Sequence, residues 1–261
     1  MRKIAILVVF ALAAGLLFSA CYGDKGTVAA ITARGELRVG VKVDVPRFGY
    51  INPNTGEIEG LEIDIARALA KKILGDENAV SFLPITALTR ENLLNNGEVD
   101  LVIANFTITD ERAERFNFSE PYYSDMIGFL VRTDSGISEI ANIDAKTIGV
   151  IRSTTAFNEF SANPDIFGVS FNLKSYASYP ELENALLTGE VDVFSADTSI
   201  LYGYICEETR LLPDAVNPQP YGIATKLNDK DFAKYIDDFL KTMTEDGTLG
   251  AILDRWTGNE E

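Results

Sequence analysis

Short apolar runs alternate along the chain with longer stretches whose apolar residues fall every three or four positions. Leu37-Arg38-Val39-Gly40-Val41-Lys42 is one such run, ending at a basic residue, and Thr147-Ile148-Gly149-Val150-Ile151-Arg152 repeats its form. A second pair echoes in the same order. Residues 93–102 read Leu-Leu-Asn-Asn-Gly-Glu-Val-Asp-Leu-Val, and residues 186–194 read Leu-Leu-Thr-Gly-Glu-Val-Asp-Val-Phe. Each predicts a helix end, a glycine stop in the left-handed conformation, then a buried strand. Between the echoes, Ile65, Ala66, Leu69, Ala70 and Ile73 share one helical face, with Lys71 and Lys72 near the end and Gly75 as the stop. Two pairs at comparable intervals predict two α/β lobes of similar build, each a mostly parallel sheet with helices on both faces.

Two extended runs, 126–131 and 220–224, are expected to carry the chain out of the first lobe and back, forming a two-segment hinge. The expected organisation is a first lobe of residues 35–128 plus 222–261 and a second of 129–221. After Lys226 an amphipathic helix is predicted with Phe232, Tyr235, Ile236 and Phe239 on one side, and Trp256 reads as a core anchor. Open sheets of this kind bind ligands outside the carboxyl ends of their strands. That rule selects Lys42, residues 105–109, residues 152–155 and Asp197.

The chain's beginning adds a compartment. Arg2 and Lys3 precede an apolar run at 4–17, about fourteen residues, too short for the roughly twenty that span a bilayer but suited to a signal peptide. Phe18-Ser19-Ala20-Cys21 resembles a bacterial lipoprotein signal, cleaved before Cys21, whose sulfur then receives diacylglycerol; an ordinary signal peptide with a chance cysteine is the alternative. Residues 1–20 are thus expected to be removed, 21–34 to form a tether, and the protein to be exported and lipid-anchored on the outer face of the cell membrane. With Cys21 acylated, Cys206 has no partner and no disulfide is expected.

Net charge narrows the partners. It is −16 for the whole chain and becomes −18 once Arg2 and Lys3 leave with the signal. Such a surface repels nucleic acid and anionic membranes, so any anion site must be a local cluster of cations. Histidine is absent and the two cysteines are far apart, so neither a metal, nor a cofactor, nor histidine-based catalysis is expected.

Residues 60–70, Gly-Leu-Glu-Ile-Asp-Ile-Ala-Arg-Ala-Leu-Ala, carry a glycine, two acids separated by one apolar position, and a helix. Thr107-Ile108-Thr109-Asp110-Glu111-Arg112 follows, then Phe118-Ser119-Glu120-Pro121-Tyr122-Tyr123. Together these motifs resemble the amino-acid-binding branch of the bacterial extracellular solute-binding proteins (family 3), over about Gly35 to Trp256. The resemblance implies a two-lobe, type II periplasmic-binding-protein-like α/β fold with the ligand cleft between the lobes. It also implies a monomeric, non-enzymatic component of an ABC importer that delivers a free amino acid to membrane permease subunits.

The family's ligand grip maps onto this chain residue by residue. Arg112 sits where the family places its carboxylate-binding arginine; Thr109 reads as an N-cap that puts Arg112 at the third helical position, and a guanidinium fork accepts a carboxylate bidentately. A surface arginine paired with Glu111 or Glu114 is the alternative. Thr107 and the Asn105 backbone would complete the contacts. Asp197 matches the acid for the α-ammonium, or would be a plain helix cap. Ser153, Thr154 and Thr155 open a segment whose hydroxyls and N–H groups suit a carboxylate, with Ser153 standing where the family usually has glycine.

Lys42 stands where family members differ with ligand class, and binders of basic amino acids resemble one another in placing an acid there. A lysine would repel a basic ligand and attract an acidic one. The string around it and Thr89-Arg90 look like the aspartate/glutamate binders. Lys42, Arg90 and Arg112 set against Asp197 favour an anionic ligand, glutamate or aspartate. Alternatively, Lys42 is a solvated strand end and Arg90 pairs with Glu91 or Asp100. Tyr179 and Arg152 are further pocket candidates, with Phe48 and Tyr50 as walls for the ligand's aliphatic part. Glutamine is the alternative ligand, and an enzyme on the same scaffold the remote alternative.

Overall fold

The computed structural model describes residues 26–258. The signal segment 1–20 and the lipidation residue Cys21 lie outside the described residues. Residues 27–34, expected within the tether, instead form a helix whose Ile31 is fully buried against the first lobe. Its Thr27 hydroxyl bonds Asp229.

Strand β1 (Leu37–Val41) is followed by a small antiparallel meander of β2 (Asp44–Val45), β3 (Gly49–Ile51) and β4 (Ile58–Glu59). Strands β5 (Val80–Pro84) and β6 (Leu101–Ile103) flank β1 in parallel, and β7 (Phe116–Phe118) forms the far edge. The second sheet holds β8 (Tyr123–Arg132), β9 (Lys146–Ile151), β10 (Phe171–Tyr176), β11 (Val193–Asp197), β12 (Thr209–Leu211) and β13 (Val216–Tyr221). Finally β14 (Ala224–Lys226) returns to the first sheet between β6 and β7. The chain therefore passes from the first sheet to the second between Phe118 and Tyr123, and back between Tyr221 and Ala224.

Both sheets depart from the mostly parallel expectation in the same way. Three strands of each are parallel, β5-β1-β6 and β10-β9-β11, but the strand by which the chain enters each sheet from the other lobe, β14 and β8 respectively, runs antiparallel to them. Each of these strands enters at the edge where the parallel strands end, and so runs back against them.

The sequence echoes have a structural cause. Gly97 and Gly189 both take φ 76 at their helix ends, the left-handed turn expected of them. Next, Asp100 accepts the Arg38 N–H at 2.8 Å, while its own N–H bonds the Arg38 carbonyl at 2.8 Å. Asp192 does the same with Thr147, at 2.9 Å in each direction. The repeated Glu-Val-Asp is thus a two-way clip that sets the register of β1 in the first lobe and of β9 in the second.

The helix Leu61–Leu74 buries Ile65, Ala66, Leu69 and Ala70 of the predicted face, leaves Ile73 half-buried near its end, and stops at Gly75 with φ 80. It starts at Gly60, φ 137, where a Cβ would lie 2.1 Å from the Phe48 carbonyl oxygen. Gly60→Ala is expected to destabilise the protein by about 3 kcal/mol or more, since neither backbone can yield. Urea denaturation checks this, and a midpoint near wild type would refute it. In the helix Lys230–Glu245, Phe232, Ile236 and Phe239 are buried as expected. Trp256 packs on the core and donates to Asp64 Oδ2 at 2.8 Å, as an anchor does.

Candidate functional site

One pocket between the two sheets is lined by Lys42, Arg90, Asn105, Thr107, Arg112, Thr154, Thr155, Tyr179 and Asp197. These are nine of the ten predicted ligand residues. They come from the carboxyl ends of β1, β6, β9 and β11 and from the helix starts beside them. The tenth, Ser153, lies outside the pocket wall, in the depression next to it. It adopts φ 63, the conformation that glycine takes most easily, and its carbonyl accepts Arg112 Nη2 at 3.2 Å. Arg152 is exposed, and neither Tyr50 nor Phe48 lines the pocket. Phe48 instead packs in the core against the rings of Tyr123 and Tyr221, 5.1 and 6.1 Å away.

Burial decides between the alternatives for the cations. Lys42, Arg90 and Arg112 are 5%, 4% and 5% exposed, so none is a solvated surface charge. Thr109 caps its short helix by accepting the Arg112 N–H at 3.2 Å. This places Arg112 Nη1 on the Thr107 carbonyl at 2.8 Å. Arg90 donates to the Ala104 carbonyl at 3.2 Å. Both guanidinium groups lie on the Phe106 ring, Arg90 at 3.8 Å and Arg112 at 4.9 Å from its centre. Phe106 therefore holds two like charges side by side, a role that no motif in the sequence signals.

The electrostatic strain is legible in the titrating groups. Burial pulls Arg90 down to about 9, helped by the neighbouring Arg112 charge. Burial likewise lowers Arg112 and Lys42, opposed at Lys42 by the charge of Asp44. Across the pocket, burial pushes Asp197 up to about 7, with Asp125 adding to the rise and the Tyr221 hydroxyl opposing it. Asp197 occupies the N-cap position of the helix Thr198–Tyr202, but its side chain makes no cap bond. Instead Oδ2 accepts the Tyr221 hydroxyl at 2.6 Å, which fixes the carboxylate at the pocket wall.

Several partners escaped the sequence reading. Lys42 Nζ sits 2.9 Å from Asp44 Oδ1, which cuts the pocket's excess of positive charge from two to one. Glu62, fully buried, accepts the Asn105 N–H and the Tyr122 hydroxyl, each at 2.6 Å, and burial pushes it up to about 7. It stabilises the turn at Asn105, where φ is 44. Gln219 Oε1 accepts both the Thr107 hydroxyl at 2.9 Å and the Thr155 hydroxyl at 2.6 Å. The Thr154 hydroxyl is also engaged, donating to the Ile151 carbonyl at 2.7 Å while it caps the helix Thr155–Ala162. These hydroxyls orient the walls, and the N–H groups at that helix start are what suit an anion. Glu62 lies within a motif visible in the sequence and Asp44 within the string around Lys42, though nothing there assigns either a role; Gln219 carries no such signal.

Lobe-to-lobe contacts close the pocket. Besides Arg112 to Ser153, the Tyr204 hydroxyl donates to the Asp44 carbonyl at 2.7 Å, and Lys42 Nζ stands 5.1 Å from the Tyr179 ring centre. Chemically, the site is a buried pocket with three cations, one lining acid among the described residues and a helix start, suited to a small zwitterion bearing extra negative charge.

Comparison with known proteins agrees with this architecture. The chain is 36% identical to the ABC transporter glutamine-binding protein GlnH of Bacillus subtilis, over 98% of this chain and 97% of that protein. It is 31% identical to the glutamate-binding protein GluB of Corynebacterium glutamicum, over 95% and 88%. Among solved structures, a solute receptor for L-cysteine of Neisseria gonorrhoeae matches with a TM-score of 0.82 and 29% identity, covering 89% of this chain and 94% of that one. The fold is that of the type II periplasmic binding proteins, two sheet-containing α/β lobes. Residues 37–259 match the model of the bacterial extracellular solute-binding proteins, family 3, and the chain belongs to that family.

Proposed function

We propose that this protein is the substrate-binding component of an amino-acid ABC importer and that it captures glutamate or aspartate. The observation that carries the acidic ligand is the burial of Lys42, Arg90 and Arg112 in one pocket whose single lining acid, among the described residues, is Asp197. Arg112 and the N–H groups at Thr154 and Thr155 take the α-carboxylate, Asp197 takes the α-ammonium, and Lys42 with Arg90 takes the side-chain carboxylate. Even with Asp44 counted, one positive charge remains in excess, which a ligand of net charge −1 neutralises. Because these groups belong to both lobes, ligand favours the closed state through contacts that an open state lacks. The closed form docks on the membrane permease as a monomer, held at the outer face of the membrane by lipid on Cys21, and releases its ligand unchanged.

A second reading has its own observation. The Lys42–Asp44 pair already gives the lysine a counter-charge, so a neutral amide could face it at less cost, and the GlnH relative is named for glutamine. Calorimetry with glutamate, aspartate, glutamine, arginine and histidine separates the two. Tight binding is expected for the first two alone, and glutamine binding tighter than both would replace the acidic ligand with the amide.

A further inference from the structure

Lys42 is the pocket group facing a residue that lobe two grips directly. Its ammonium pairs with the Asp44 carboxylate at 2.9 Å, and the carbonyl of the same Asp44 accepts the Tyr204 hydroxyl at 2.7 Å. Asp44 is pinned from three sides. It pairs with Tyr50 in the β2–β3 ladder. The meander folds back so closely that a Cβ at Gly49 would lie 2.4 Å from the Lys42 carbonyl oxygen. On the far side Gly203 meets the Pro46 ring, where a Cβ would lie 2.7 Å from Pro46 Cδ. The Arg47 guanidinium stands 5.8 Å from the Tyr202 ring centre and extends the contact outward.

From this geometry we propose that Asp44 and Tyr204 form a specificity clasp: Asp44 sets how strongly Lys42 demands a charged ligand side chain, and Tyr204 locks Asp44 when the lobes meet. This rests on the acidic-ligand reading and deepens it. An ammonium beside a fixed carboxylate gains less from a ligand anion and loses less from a ligand amide than an unpaired one. Asp44 is thus a positioning residue that narrows the gap between glutamate and glutamine. Tyr204 acts differently, because its bond joins the lobes and is made whatever the ligand's side chain.

The two roles separate in one experiment. Glutamate and glutamine affinities are measured by calorimetry at about pH 6, where a buried ammonium keeps its proton more readily, for wild type, Asp44→Asn, Asp44→Glu and Tyr204→Phe. Asp44→Asn is expected to raise the glutamate-to-glutamine affinity ratio by about tenfold or more. Asp44→Glu, which keeps the charge, is expected to hold the ratio near wild type, a rescue that a merely structural role would not show. Tyr204→Phe is expected to weaken both ligands by a similar factor, about threefold to tenfold, with the ratio unchanged. A ratio that stays level or falls in Asp44→Asn overturns the clasp while leaving the acidic ligand intact. A wild type that binds no glutamate overturns both.

Discussion

Replacing Arg112 by alanine is expected to weaken glutamate binding by about a hundredfold to a thousandfold. Its guanidinium fork is fixed before any ligand arrives. The N-cap at Thr109 aims the side chain, the Thr107 carbonyl holds Nη1, and the Phe106 ring supports the flat face. A carboxylate docking on this fork meets a charge already stripped of water, so little reorganisation offsets the gain. Arg112→Lys is not expected to rescue, because an ammonium offers no planar pair of donors. Arg112→Ala also removes the bond to Ser153, so both lobes lose a contact in one substitution. Calorimetry reads the loss, and a ligand-free melting temperature near wild type shows that the fold has survived. An affinity within tenfold of wild type would remove Arg112 from the carboxylate site.

Asp197 gives the second large effect, and its signature is in pH. Its carboxyl sits at about 7 in the folded, ligand-free protein against an ordinary 3.8, chiefly through burial. Bringing an ammonium beside it favours the ionised form, so binding near neutrality releases a proton. Affinity is therefore expected to climb between about pH 5 and pH 8, by at most about tenfold per pH unit for one proton. Asp197→Asn should cost about a hundredfold and flatten that climb. For the ligand-free fold the sign reverses. A carboxyl raised above its unfolded value contributes stability that is complete in acid and is lost as pH rises through about 7. Glu62, at about 7 against 4.5, adds in the same direction. The ligand-free protein is thus expected to melt at a higher temperature near about pH 5 than near about pH 8, while saturating glutamate narrows the difference. A melting temperature that rises with pH would contradict the burial assigned to both carboxyls.

How much of this could be read in the sequence depends on whether a feature is local. The echoed Glu-Val-Asp segments, the glycine stops and the Thr109 cap are set by neighbours a few residues away, and each was legible. So were the pocket residues at strand ends, because the topology rule needs only the order of elements. What stayed hidden joins distant parts of the chain. The Lys42–Asp44 pair is the exception, since its partners stand two residues apart, a spacing that puts side chains of an extended segment on one face. Gln219 reaches Thr107 and Thr155 from a crossing strand, and Phe106 becomes a platform because two arginines, from helices that follow different strands, converge on it. The antiparallel strands at the crossings were hidden for the same reason, since direction depends on where the chain re-enters.

Gln219 has a mechanical consequence. Its amide oxygen bonds one threonine from each lobe, and it lies in β13, the strand that leads into the return crossing. If the lobes rotate about that point, the two threonines barely change their separation, and displacement grows with distance from it. The Thr107–Arg112 end then acts near the fulcrum, so a ligand can settle its α-carboxylate there at little mechanical cost.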